Sequence, residues 1–260
     1  MSGSLANWGT GIETARGSEE TIRQMSAGAH GELEPAYVLH RRPYRETSAL
    51  LEIFTRAHGR IALVARGARR PRSVLRAALT PFAPLLLSWS GRGEVGTLRA
   101  AERQHQPVTF GGEMLLSGLY LNELLMRLTH RHDPHPELFD AYAKALRALE
   151  DAMDAELTLR VFEKRMLEAI GYGMLLDREA ESGLPVVREQ RYAYRADRGP
   201  DPAAVHRGDG VEVSGATLLA LANEQPLDEA GRREAKRLMR CVLRLHLGDR
   251  PLASRAMFGA

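Results

Sequence analysis

Arginine dominates the one stretch of this chain whose residue types and spacing point to chemistry. From Tyr37 to Arg103 there are thirteen arginines and no lysine against Glu46, Glu52, Glu94 and Glu102, a net charge of +9. The whole chain carries +3, so the remainder sums to −6. A guanidinium meets a phosphate by charge and by a fork of N–H donors, and an aromatic ring gives a base face something to stack on. Both kinds of side chain interleave here. Arg41, Arg42 and Arg45 surround Tyr44; Arg66, Arg69, Arg70, Arg72 and Arg76 line the stretch around Gly67-Ala-Arg-Arg-Pro-Arg-Ser-Val-Leu-Arg76; Arg92 lies near Trp89. These residues are the candidate contacts to a nucleic-acid strand, which they would hold by ion pairs and stacking without bond chemistry. So one-signed a field exceeds what solubility requires.

Other patterns hold less. Gly91-Arg-Gly-Glu-Val-Gly96 spells G-x-G-x-x-G, but the dinucleotide version needs a helix directly after the glycines; a strand is expected here, and a hairpin turn is the better reading. His130-Arg-His132-Asp133-Pro-His135 has the composition of a metal cluster. Pro134 spoils the H-x-H-x-D-H register of binuclear hydrolases, and histidines also suit the negative end of a helix. No Gly-x-Ser-x-Gly elbow or GxxxxGK[ST] loop occurs, and Cys241 among Leu238, Val242 and Leu245 reads as a core thiol. No catalytic residue, metal or cofactor is therefore expected. Leu157, Arg160, Val161 and Lys164 fall at i, i+3, i+4 and i+7 of a helix, two cations beside two apolar side chains. That face suits an acidic, hydrophobic peptide tail, or is an amphipathic edge with snorkelling stems. The last helix sets Arg232, Arg233, Lys236, Arg237, Arg240 and Arg244 against Asp228, Glu229 and Glu234, and either extends the phosphate track or is simply solvated.

The elements that must position these residues follow from hydrophobic period. Strands are expected over Tyr37–Arg41, ended by Pro43; Thr47–Phe54; Arg60–Ala65 after a His58-Gly59 turn; Leu85–Trp89; and Glu94–Ala100. Ile61, Leu63 and Ala65 share one face. Ser73 can cap a short helix to about Leu79, stopped by Pro81 and Pro84. Five strands with a helix between the third and fourth is the order of an OB-fold, a small Greek-key barrel that binds oligonucleotides.

From Glu113 the period becomes helical. Stripes run along Leu115, Leu119, Leu121, Leu125 and Leu128; Leu138, Tyr142, Leu146 and Leu149; and Leu159, Phe162, Met166 and Ile170, with Gly171-Tyr-Gly173 ending the third helix. Residues 184 to 213 are weakly β (Val186-Val187, Tyr192 to Tyr194, Val211 to Val213) around an Asp/Pro/Gly loop at 197 to 202, before helices near Thr217–Ala222 and Asp228–Leu247. The fold class is α+β: a disordered tail over 1–36, an OB-fold over 37–105 and a helical domain with a small β insert over 106–260. Without a long apolar run no membrane span is expected; one cysteine excludes an internal disulfide and favours a reducing compartment, the cytoplasm. Met25 shortly before the first strand marks the residues ahead of it as an optional extension.

Several ordered segments resemble the bacterial recombination mediators of the RecO family. They are Tyr37-Val-Leu-His-Arg-Arg-Pro-Tyr-Arg-Glu-Thr-Ser48, Ala65-Arg-Gly-Ala-Arg-Arg70, Pro81-Phe-Ala-Pro-Leu85, Gly91-Arg-Gly-Glu-Val95, Gly118-Leu-Tyr-Leu-Asn-Glu-Leu-Leu125, Gly171-Tyr-Gly173 and Pro251-Leu-Ala-Ser-Arg255. The resemblance implies an N-terminal OB-fold, a helical domain and a small region, here about 177–213, that in many members binds zinc through four cysteines. It also implies binding of single- and double-stranded DNA, annealing of complementary strands, contact with the acidic tail of single-stranded DNA-binding protein, partnership with RecR in loading RecA, and association with the nucleoid. Where zinc-bearing members place a C-x-x-C, this chain has Glu179 and Ser182, so the region must hold its shape by packing alone. The expected function is a non-catalytic DNA-repair mediator. A protein-docking scaffold with incidental DNA contact is the alternative, and a metal-dependent hydrolase using the histidine cluster ranks third.

Overall fold

The structure, a computed structural model, describes residues 33–91, 93–104, 110–205, 208, 210–248 and 251–254. Most of the expected tail, Arg92 and Arg255 lie outside the described residues. Strands β1 (Glu34–Tyr44), β2 (Ser48–Thr55), β3 (Gly59–Ala65), β4 (Leu85–Ser90) and β5 (Val95–Arg103), with helix α1 (Val74–Ala78) between β3 and β4, form a closed barrel. Its order is β1-β2-β3-β5-β4, with β3 and β5 parallel, as the OB reading expects. Val38, Leu51, Ile53, Ile61, Leu63, Leu85 and Leu87 fill its interior.

Both limits of β1 differ from expectation, and β5 runs on past Ala100 to Arg103. Pro43 does not end β1 but pairs with Ala49. β4 reaches β1 only at Glu34–Ala36, so at Pro43 the strand has β2 on one side alone, where a missing N–H is tolerated. Glu34–Ala36, read as tail, are the residues that close the barrel onto β4. Ser73 stands at the N-cap position of α1, yet its side chain accepts no capping hydrogen bond.

The helical part contains α2 (Gly112–Leu128), α3 (Pro136–Glu150), α4 (Ala155–Ala169), a sheet of β6 (Arg191–Arg195), β7 (Gly199–Pro202) and β8 (Val211–Ser214), then α5 (Gly215–Ala222) and α6 (Glu229–Leu247). The α3 stripe is buried as expected. On α2 the buried face is rotated: Leu121 and Leu125 pack inward with Tyr120 and Leu124, while Leu115 is exposed. The stretch read as an Asp/Pro/Gly loop holds strand β7, whose two prolines are admitted because it is the edge of the order β7-β6-β8. Val186 and Val187 remain outside the strands.

Barrel and helices share one core. Tyr37 and Phe54 turn outward from the barrel onto Phe139 and Tyr142, with ring centroids 5.1–6.2 Å apart. Such aromatic pairs each add about 1 kcal/mol beyond burial. A polar clamp accompanies them: Asn122 Nδ2 donates to Leu39 O of β1 at 2.9 Å, and the Tyr142 hydroxyl donates to Asn122 Oδ1.

A second junction lies at the β2–β3 turn. The segment Thr129–Asp133 packs against it, with His132 N–H donating to Arg60 O (2.9 Å) and the Arg60 guanidinium to Thr129 O (2.8 Å). Arg60 and Arg131 both pair with Glu52, and Arg56 grips Asp140 through two hydrogen bonds. One end of the barrel is thus consumed by the helical part. The other, with the β1–β2 turn and the β3–α1 loop, lies at the far end of β2, roughly 23 Å away at about 3.3 Å per residue over eight residues.

Farther along, buried Glu234 of α6 accepts from Ser214 N–H, Ser214 Oγ and Thr217 Oγ1, and pairs with Arg191, tying β8, α5 and β6 together. Burial alone would raise its pKa, but these donors outweigh it and hold the carboxylate at about 2. Because the folded value is depressed, the stabilisation is complete above the unfolded value near 4.3 and is lost as pH falls toward about 2. Thermal melts between pH 7 and pH 3 should fall steeply below about pH 5, and Glu234→Gln should flatten part of that fall. Identical pH profiles for the two proteins would remove Glu234 from the account.

Candidate nucleic-acid interface

The β3–α1 loop is built from a left-handed residue, Gly67 (φ 69°), and a buried one, Ala68, whose methyl sits in the barrel core. With Ala68 and Leu79 anchored inside, Arg66, Arg69, Arg70, Arg72 and Arg76 are left exposed. The β1–β2 turn is fastened to this loop. Arg69 N–H donates to Thr47 O (2.9 Å), and its guanidinium to Arg45 O (3.0 Å) and Glu46 O (3.2 Å). From β1, Arg41 donates to Ala68 O (3.0 Å) and Arg76 O (3.2 Å). Burial first, and then the neighbouring charges of Arg76 and Arg69, push the Arg41 guanidinium below its ordinary pKa.

Arg41, Arg42, Pro43, Arg69 and Arg76 line a shallow depression of about 360 Å³ at this end. Beside it the Arg45 guanidinium lies 5.3 Å from the centroid of the half-exposed Tyr44 ring. Among the described residues none of these arginines forms an ion pair with a carboxylate, whereas Arg56 and Arg60 of the opposite end do. An anion entering the depression would meet guanidinium groups without first displacing a carboxylate. Reading the sequence missed Val74, which is 85% exposed among these arginines and offers a base an apolar contact. An isolated apolar residue within an arginine run is the signal that finds it.

Trp89 is not brought to this cluster. Its ring packs on the barrel core and meets His58 of the β2–β3 turn edge to face at 5.1 Å. Arg92, which follows Trp89 in sequence, lies outside the described residues.

The other sequence candidates have structural employment. On α4, Arg160 is covered and pairs with buried Glu163 (2.9 Å), and Lys164 pairs with Glu224 (3.0 Å) and donates to Ala222 O (2.9 Å). Leu157 and Val161 are half-buried. The histidine segment 130–135 is the seam described above, with His135 Nε2 3.1 Å from Asp133 Oδ2. Among the described residues no group of three or more His, Cys, Asp or Glu is placed to hold a metal ion. No helix among them is long and apolar enough to cross a membrane.

Among the described residues of the region where the resembled family carries zinc, no group of three or more His, Cys, Asp or Glu is placed to hold a metal ion. Glu179 accepts a hydrogen bond from Ser182 Oγ (2.5 Å), Asp201 accepts from Glu181 N–H (2.9 Å), and Arg195 bridges Asp201 (2.7 Å) and Glu181 (3.0 Å). These carboxylates are taken by arginine and hydrogen-bond donors, and no thiolate is present. The sequence suggested that packing alone holds the region, but this ion-paired knuckle contributes as well.

Comparison with known proteins covers nearly the whole described chain. Residues 32–106 match the family model for the recombination protein O N terminal, and residues 111–256 that for the recombination protein O C terminal. The chain is 52% identical over 227 residues to the DNA repair protein RecO of Methylococcus capsulatus, covering 87% of this chain and 92% of that protein. It is 50% identical over 228 residues to the DNA repair protein RecO of Alkalilimnicola ehrlichii, covering 87% and 90%. Against the DNA repair protein RecO of Nitrosococcus oceani the identity is 47% over 225 residues, covering 86% and 92%.

Proposed function

The chain belongs to the RecO family of DNA repair and recombination proteins, and from that premise we propose that it is a non-catalytic mediator that binds single-stranded DNA at the open end of its barrel. It binds duplex DNA as well, complementary strands anneal on the protein, and RecR joins it to load RecA on strands coated by single-stranded DNA-binding protein. The observation that carries this reading is the cluster of Arg41, Arg42, Arg45, Arg66, Arg69, Arg70, Arg72 and Arg76 without a carboxylate partner among the described residues. Tyr44 supplies the stacking face, whereas the Trp89 ring lies apart from this cluster, beside His58 of the β2–β3 turn. Anisotropy of a labelled single-stranded oligonucleotide, titrated at several salt concentrations, tests it. If about four phosphates are engaged, the log–log slope should be roughly −3. A flat salt response would remove the electrostatic account and leave the barrel as a protein-docking platform.

The acidic tail of single-stranded DNA-binding protein is placed by the same reading at Leu157, Arg160, Val161 and Lys164. Lys164 is already held by Glu224, whose carboxyl the Arg165 and Lys164 donors keep down at about 2 against the opposing effect of burial. A tail carboxylate must therefore compete with Glu224. Glu224→Gln is expected to tighten binding of a labelled acidic tail peptide roughly threefold or more, as the freed cations lose an internal partner. Unchanged or weaker binding would move the tail's dock to another face.

A further inference from the structure

Helix α6 carries a second cationic stripe that the barrel site does not use. Arg233, Arg237, Arg240 and Arg244 follow one another at intervals of four, three and four residues, and all four are exposed. At 100° per residue they fall within an arc of about 60°, and they extend roughly 16 Å along the helix. The opposite face, Leu238, Met239, Val242 and Leu243, is buried in the shared core, so the stripe cannot turn inward.

The charge on this stripe is left open where the rest of the helical part closes it. Arg165 reaches Glu224, Arg191 reaches Glu234, Arg195 reaches Asp201 and Arg232 reaches Asp154. On α6, Arg233 pairs with Glu229 and Lys236 lies 3.7 Å from Glu156. Beyond Glu234 the helix has no acidic residue, and Arg237, Arg240 and Arg244 reach no carboxylate among the described residues. Side chains three and four residues apart leave the helix with Cβ atoms about 5–6 Å from one another, comparable to the spacing of neighbouring phosphates along a strand. A row of unpaired arginines on a rigid helix therefore matches a sugar–phosphate backbone better than it matches a compact anion.

We infer that the stripe Arg237, Arg240 and Arg244 is a second nucleic-acid site, which holds the complementary strand while the barrel holds the first. The inference rests on the barrel reading and extends it. Two sites on different parts of one chain bring two polyanions together and neutralise both, and that is the physical requirement of annealing. Because the stripe is wholly exposed, charge reversal there leaves the core untouched.

The test uses the full chain, wild type beside Arg237/Arg240/Arg244→Glu and Arg70/Arg72→Glu, each first checked for an unchanged melting temperature. Three readouts are taken: anisotropy of one labelled strand, energy transfer between donor- and acceptor-labelled non-complementary strands on the protein, and the annealing rate of complementary strands. For the stripe variant, first-strand affinity should stay within about twofold of wild type, transfer should vanish and annealing should slow at least about tenfold. Wild-type transfer and annealing in that variant would overturn the inference alone and make the stripe a solvated face. Loss of first-strand binding in it would overturn the inference too, since the stripe would then belong to a single continuous track. If the wild type bound no strand, or the barrel variant bound as wild type does, the underlying barrel reading would fail.

Discussion

Replacing Arg69, Arg70 and Arg72 together with glutamate is expected to abolish single-strand binding at about 0.1 M salt, a loss of roughly a hundredfold or more if each phosphate contact is worth about 1 kcal/mol. Reversal also swings the loop by six charges, which adds repulsion to lost attraction. The three residues are not equivalent. Arg69 fastens the β1–β2 turn through Arg45 O and Glu46 O, so its replacement also loosens the platform. Arg70 and Arg72 make no such side-chain bond to the described residues, and their guanidinium groups are free for a ligand. The variant Arg70/Arg72→Glu therefore isolates the electrostatic part. It should lose most of the affinity and flatten the salt slope by about 1.4, since each single-strand phosphate contact contributes about 0.7. Wild-type affinity in both variants would exclude the loop as the contact. Loss confined to the triple variant would make Arg69's structural bonds, and not the field of the loop, the decisive feature.

What was legible in the sequence is what short-range physics determines. Alternation at Ile61, Leu63 and Ala65, with glycine and proline punctuation, yields the five strands, and the interval between β3 and β4 yields the helix and so the OB order. The arginine loop is legible because an uncompensated charge run has few other uses. Errors arise where a tertiary neighbour decides. Pro43 is a strand breaker only if both edges of β1 are paired, and the closing pairs stop at Ala36. Arg160 and Lys164 look like a free cationic face until Glu163 and Glu224 arrive from within and beyond the helix. Trp89 is near Arg92 in sequence, yet its ring is spent on the barrel core and His58. Nothing local in His130–His135 says that it seals the barrel against the helices, because the partner, the β2–β3 turn, lies more than seventy residues earlier.

That seal sets the second large effect, which falls on Gly59. The sequence shows Gly59 as a turn residue, but the structure gives it two constraints. Its φ of 65° is left-handed, which costs a residue with a Cβ about 1 kcal/mol. A Cβ would also stand 2.0 Å from Asp133 O and 2.5 Å from Asp133 C, and these are backbone atoms that cannot swing away as a flexible side chain does. Gly59→Ala must push the segment Thr129–Asp133 off the barrel, breaking the His132 N–H to Arg60 O bond and parting Arg60 from Thr129 O. The expected loss is about 3 kcal/mol or more, which at about 2–4 °C per kcal/mol lowers the melting temperature by roughly 6–12 °C. Gly67→Ala is the matched control, since Gly67 shares the positive φ (69°) but its Cβ would meet nothing nearer than 3.7 Å. It should lose only the left-handed cost, about 1 kcal/mol. A third variant, Asn122→Ala, strikes the other, aromatic junction by leaving Leu39 O and the Tyr142 hydroxyl buried without their partner, at about 1–3 kcal/mol for each group. If calorimetry found Gly59→Ala and Gly67→Ala equally destabilised, the close approach at Asp133 would carry no weight and the barrel would be fastened by its aromatic face alone. If Gly59→Ala instead melts far lower yet binds a single strand normally at 10 °C, the two barrel ends have separate tasks: one anchors the barrel and the other meets the ligand.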